Sequence, residues 1–228
     1  MESGKSSKVS GIINTVSHLV LKDKRAIEMG KDHADKIENC SKPNPMVRYV
    51  IRRGKVEDCS QISVLMRKLA ESEDYGDRVE VSEDDLRRDG FGDNPVFESI
   101  VLEDKEANEE SSILGYALYF MGFCSWKGRL LYLEDVYINS EYRGTGLGIA
   151  LLHTIAKISE ERGCKAVQGT VVEWNKDVMK LYKRIGATDM TEEDKYHLFA
   201  IGRNEVSRFA KARIPVLNNG SQIVTCDL

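Results

Sequence analysis

The sequence predicts an α/β chain of the α+β type, with a mixed, twisted sheet covered by helices. Three observations carry this reading. Strand-like apolar runs come three in succession, near 97–103, 112–121 and 129–138, an order that favours hairpins. A strand-to-helix junction follows, written EYRGTGLG over 141–148. A second strand and helix come next, and the crossover helices imply parallel pairing at that end of the sheet.

In chain order, residues 1–46 read as an extension. MESGKSSKVS is polar, and GIINTVSHLVLKDK places Ile12, Ile13, Val16 and Val20 near one face of a helix too short to be stable alone. Pro43 and Pro45 interrupt regular structure and mark a linker. A folded domain over 47–210 then opens with VRYVIRRG, a short strand. EDCSQISVLMRKLAES spaces Ile62, Leu65, Met66 and Leu69 as a helix face. SEDDLRRDG offers Ser82 as an N-cap, with Gly90 past the last turn. After the three strands comes a helix over 147–162, closed by Gly163, and a strand over 165–172. Asn175 caps a helix over 176–185, closed by Gly186, and YHLFAIG forms a last strand. The tail 211–228 has no clear period.

The bulk chemistry excludes several classes. A net charge of −4 and a pI near 5.7 lack the clustered cations of a nucleic-acid surface. Cys40, Cys59, Cys124, Cys164 and Cys226 are scattered and form no C-x-x-C pair, which favours reduced thiols and a cytoplasmic setting. Four dispersed histidines argue against a zinc site, so no metal is expected. The apolar run ILGYALYFMGF is too short to span a bilayer and reads as a buried strand, and the N-terminus has no secretory pattern, so no membrane partner is expected.

The glycine loop fits R-x-x-G-x-G. It is not a dinucleotide fingerprint, because Ile149 stands where the third glycine would, and it is not a P-loop, because no Lys-Ser/Thr follows. Glycine permits positive φ and close approach, and a helix N-terminus offers unpaired N–H groups and positive potential. Together with Arg143 these make a phosphate or pyrophosphate site, the alternative being a plain turn without a ligand.

Glu134 lies inside an apolar strand, where a carboxylate is costly unless partnered or used. Strict alternation places Leu130, Tyr132, Glu134, Val136 and Ile138 on one face and Asp135 and Tyr137 on the other, unless a bulge intervenes. A structural salt bridge is the alternative for Glu134. Tyr182 shares a helix face with Val178, Leu181 and Ile185, where a core role is equally natural. Acids crowd residues 71–98 and read as a solvated face or, beside a groove, as a field for a polycation.

LEDVYINSEYRGTGLG resembles the central acetyl-CoA motif of the GNAT acyltransferases. LLYLEDVYINSEYRGTGLG, VVEWNKDVMKLYKRIGA and RRDGFGDNP together resemble the spermidine/spermine N-acetyltransferase (diamine acetyltransferase) branch, over about residues 48–205. The resemblance implies a GNAT fold, a mixed twisted sheet of six to seven strands with four flanking helices, splayed where acetyl-CoA enters as co-substrate. It implies that Val136, Tyr137 and Ile138 hold the pantetheine arm. Arg143, Gly144, Thr145, Gly146, Leu147 and Gly148 would hold the pyrophosphate. Asn175 and Tyr182 would also meet the cofactor, with Tyr182 as acid toward the departing thiolate and Glu134 as base. Glu73, Glu134 and Asp135 would line the amine site. The implied reaction is direct acetyl transfer to a primary amine of a polyamine, by a homodimer. Thialysine or another small amine is the alternative acceptor. A non-catalytic acyl-CoA-binding regulator is an alternative of another class, although it would need neither Glu134 nor Tyr182. Ser72 and Tyr196 stand where the family has an aromatic residue and a tryptophan, which leaves the acceptor open.

Overall fold

Among the described residues, five strands form one sheet in the order of the chain: β1 (Tyr49–Arg53), β2 (Glu98–Asp104), β3 (Ile113–Cys124), β4 (Gly128–Ile138) and β5 (Ala166–Gly169). The computed structural model describes residues 48–108, 112–195, 198 and 200–212. The expected extension 1–46 and the tail beyond 212 lie outside the described residues. The first four strands pair antiparallel in sequence, and β5 joins β4 in parallel. Four helices match the expected pattern: α1 (Cys59–Ser72), α2 (Glu83–Phe91), α3 (Leu147–Glu161) and α4 (Lys176–Arg184). The helix α3 is the crossover that a parallel β4–β5 pair requires.

The apolar pattern of the strands feeds two cores. On one face Ile100, Leu102, Ala117, Tyr119, Leu131 and Leu133 pack against Leu151 and Ile155 of α3. On the other, Val101, Tyr116 and Leu118 pack against Cys59, Ile62 and Leu65 of α1 and Leu86 of α2. The central strands are therefore apolar on both sides, which is why 113–123 reads as an almost continuous apolar run. Helix starts follow local chemistry. Ser82 Oγ accepts from the Asp85 N–H at 3.1 Å, and Asp85 returns the bond to the Ser82 N–H at 3.0 Å.

Some boundaries differ from expectation. Gly90 does not end α2, because the helix runs on to Phe91 and Gly92 is its C-cap. Gly90 answers a packing need instead: a Cβ there would lie 2.5 Å from the Phe97 ring. The strand expected over 165–172 stops at Gly169, where its pairing with β4 ends at Leu133. Two short helices, α5 (Met190–Asp194) and α6 (Arg203–Ala210), were not anticipated. Asp189 caps α5 by accepting from the N–H groups of Thr191 and Glu192. Of the last expected strand, Tyr196, His197 and Phe199 lie outside the described residues, and the described sheet has five strands where six to seven were expected.

Leu131 is fully buried at the centre of the α3-side core. Leu131→Ala should cost about 3 kcal/mol of unfolding free energy in urea titration, whereas an exposed position such as Val64 (53% exposed) should change little on truncation.

Candidate active site

The site grows from one irregularity in β4. Leu118 of β3 faces Asp135, but the next residue, Tyr119, faces Leu133. Glu134 is therefore the extra residue of a β-bulge. The strict alternation expected for this strand is corrected here. Leu131 and Leu133 face α3, and after the bulge so do Val136 and Ile138. Tyr132 stacks on Phe120 at 4.9 Å on the opposite face, and Tyr137 joins the α1-side core. Glu134 and Asp135 consequently serve the same side of the sheet, where Tyr116 and Leu118 also point.

The bulge coincides with a fork. The registered β4–β5 pairing runs from Leu130–Ala166 to Leu133–Gly169 and stops. A Cβ on Gly169 would lie 2.7 Å from Leu133 O, so glycine permits the last close approach before the strands part. Among the described residues no strand pairs with that edge of β4 beyond Leu133, so the backbone groups of Val136 and the Ile138 N–H border an open slot, while the Tyr137 backbone turns to β3.

Three carboxylates lie within reach of one another: the neighbours Glu134 and Asp135 on β4, and Glu73 from the end of α1. Asp135 is half-buried, and Tyr116 donates its hydroxyl to Asp135 Oδ2 at 3.0 Å. Burial pushes the Asp135 carboxyl up to about 6. The Tyr116 hydrogen bond opposes this, and the charges of Glu134 and Glu73 add to it. Glu73, the C-cap residue of α1, is also raised by burial. Glu134 is exposed, so the desolvation expected for it falls on Asp135 instead. A groove of about 410 Å³ opens at Glu134, with Val96, Phe97, Leu118 and Phe120 as its apolar lining. Other acids of the 71–98 run have structural employment. Arg88 holds Asp85 at 2.7 Å and Asp89 at 2.8 Å, and Arg162 holds Glu98 at 2.6 Å.

At the far end of the slot β4 gives way to the glycine loop. Gly144 has φ +76° and Gly146 φ +94°, and a Cβ at either would meet nothing within 4 Å. Glycine is demanded there by backbone conformation, and the surface it leaves is bare peptide. Thr145 Oγ1 donates to Tyr142 O at 2.6 Å and ties the loop down. The first helical bond of α3 runs from the Ala150 N–H to Gly146 O, so the N–H groups of Leu147, Gly148 and Ile149 have no acceptor within the helix. Arg143 Nε donates to Ile138 O at 3.1 Å, and its guanidinium lies 5.3 Å from the Tyr137 ring centroid. These contacts fix an exposed cation at the mouth of the loop.

Asn175 is seen as the N-cap of α4, accepting from the Val178 N–H at 3.3 Å. Tyr182 sits half-buried on α4, and burial alone raises its hydroxyl, so it stands apart from the acidic cluster. Lys183 pairs with Glu192 at 2.9 Å on the surface. Sequence reasoning missed Tyr116 and the groove residues. Their signal was weak: one of two tyrosines in an apolar run, and aromatic residues whose convergence depends on the register of β3 against β4.

The raised carboxyl has a stability consequence. Unfolded, Asp135 loses its proton near 3.8, whereas folded it keeps it to about 6. Its contribution is present below the lower value and is lost as pH rises through the upper one. Asp135→Asn should therefore raise Tm at pH 7.5 more than at pH 4.5, as differential scanning fluorimetry across pH would show.

Known proteins resemble this chain. Residues 65–187 match the model of the Acetyltransferase (GNAT) family. Thialysine N-epsilon-acetyltransferase of Bos taurus is 41% identical over 157 residues, covering 68% of this chain and 92% of that protein. Spermidine/spermine N(1)-acetyltransferase-like protein 1 of Homo sapiens is 36% identical over 160 residues, covering 69% of this chain and 23% of that protein. In fold, an integron cassette protein from the mobile metagenome of V.cholerae superposes with a TM-score of 0.59 at 24% identity, over 73% of this chain and 99% of that one. A fork beside a glycine cradle and a family match over the same residues lead to one assignment: the chain belongs to the GNAT acetyltransferase family, consistent with its spermidine/spermine N-acetyltransferase branch.

Proposed function

We propose that this chain transfers acetyl from acetyl-CoA to a primary amine of a polyamine-like small molecule, amine and donor being bound together. The observation that carries the reading is the meeting of the open β4 edge with Glu73, Glu134 and Asp135. When bound, acetyl-CoA supplies the acyl group as a thioester. The free N–H groups at 147–149, the bare peptide of Gly144 and Gly146, and the Arg143 cation fit its diphosphate. The outward backbone of Val136 and the Ile138 N–H fit its amide-bearing arm as an added strand edge. On the other side of the bulge, Glu134 meets the incoming ammonium, which has an intrinsic pKa near ~10.4. Glu134 and Asp135 form the carboxylate pair that takes the proton which must leave before nitrogen can attack. Burial holds the proton on Tyr182 Oη, available to a leaving thiolate.

Thialysine-like amines are the second reading, favoured by the apolar lining of Val96, Phe97, Leu118 and Phe120 next to a single exposed carboxylate. That surroundings set suits an ammonium followed by an apolar chain. A panel of spermidine, spermine, putrescine and thialysine with acetyl-CoA, followed by mass spectrometry, should yield a mono-acetylated product from at least one. No acetylated amine and no release of CoA would defeat the proposal. For Tyr182→Phe, kcat should fall about tenfold or more while acetyl-CoA Kd by calorimetry changes less than about threefold; an unaltered kcat removes Tyr182 from the transfer step.

A further inference from the structure

Tyr116 has no part in the reaction as described, and packing explains only its ring. The ring is fully buried in the α1-side core, 6.4 Å from the ring of Tyr137, its partner in the β3–β4 register. Phenylalanine would fill that space without bringing a hydroxyl that must be satisfied in the interior. The hydroxyl reaches Asp135 Oδ2 at 3.0 Å, at the bulge and one residue from the groove-lining Glu134.

The charged and titratable groups acting on Asp135 define its situation. From β4 there is Glu134, from the end of α1 Glu73, and from β3 Tyr116, with Tyr137 and Glu73 acting on Tyr116 in turn. The two neighbouring acids and burial all oppose an Asp135 anion. The Tyr116 hydroxyl is the group among them that favours it.

We propose that Tyr116 is a positioning residue of the acetyl-transfer site, its hydroxyl holding the Asp135 carboxylate beside Glu134 as the acceptor of the ammonium proton. This rests on the amine-acetylation reading above. In the step, the ammonium R–NH3+ gives one proton to the Asp135 carboxylate and becomes R–NH2. The nitrogen lone pair forms the C–N bond to the thioester carbonyl carbon as the C–S bond breaks. Tyr182 gives its hydroxyl proton to the leaving sulfur, forming the thiol, and the second nitrogen proton restores the Tyr182 hydroxyl. Asp135 returns its proton to solvent through the exposed Glu134, so the net products are the amide, the thiol and one proton.

The test is kcat/KM against pH from 5 to 9.5, with whichever amine of the panel is acetylated, for the wild type, Tyr116→Phe and Asp135→Asn. In the wild type, activity should rise with pH through about 6, the point at which Asp135 deprotonates. Tyr116→Phe removes the group that favours the anion. Its acidic limb should move up by about one pH unit, a loss of about fivefold at pH 6 that approaches tenfold below it and shrinks as pH rises. A residue that only packs would lower activity by the same factor at every pH, and such parallel profiles overturn the proposal. If Tyr116→Phe fails to fold, Asp135→Asn decides: kcat falls at least about tenfold and the limb near 6 disappears, or the limb persists and the proposal is wrong. A wild-type protein that acetylates no amine defeats the underlying reading and this proposal together. An active wild type with an unmoved limb defeats the role of Tyr116 alone.

Discussion

Everything at the site depends on the one extra residue that β4 carries against β3. Without Glu134 out of register, Asp135 would alternate to the face opposite Glu134, and the two acids could not act on one ligand. The same extra residue lets Val136 and Ile138 cross to the α3 side, where both join the core. Pairing with β5 ends at the neighbouring residue, so one local break redirects side chains and opens the sheet edge. A strand that must bury apolar residues on both faces and also present acids to a ligand needs such a change of phase.

Much of the fold was legible because it follows from short-range chemistry. Ser82 and Asn175 act as the caps their types suggest, and Gly163 and Gly186 take positive φ at the ends they were expected to mark. What was not legible depends on partners distant in the chain. Gly90 looked like a helix stop, but its requirement is the Phe97 ring, which only the fold brings near. The residue that leaves the ladder in β4 is chosen by its register with β3, not by its own composition. The helix Met190–Asp194 is five residues long and held by its Asp189 cap, too short for an apolar period to announce it.

The candidate site shows the same division. Arg143 and the glycines were readable as an anion cradle, since their types and spacing carry the physics locally. Among the acids of 71–98, composition could not separate those that brace the fold from those facing the groove. Arg88 and Arg162 take up Asp85, Asp89 and Glu98, whereas Glu73 is left close enough to Asp135 to disturb it. Tyr116 was hidden by its own strand, because an apolar run gives no sign that one of its members carries a hydroxyl with a polar destination.

The four-residue β5 has a dynamic consequence. Strands β1 to β4 are stitched by antiparallel pairings between chain neighbours, but β5 is attached through a crossover and only a short registered stretch. Such an attachment is the natural place for sub-global opening, at a lower free energy than the antiparallel block. Backbone amides of 166–169 should therefore exchange with deuterium sooner than those of β2 and β3. A molecule that spans the two arms of the fork would slow that breathing, so occupancy of the slot becomes readable in protection factors far from any reacting atom.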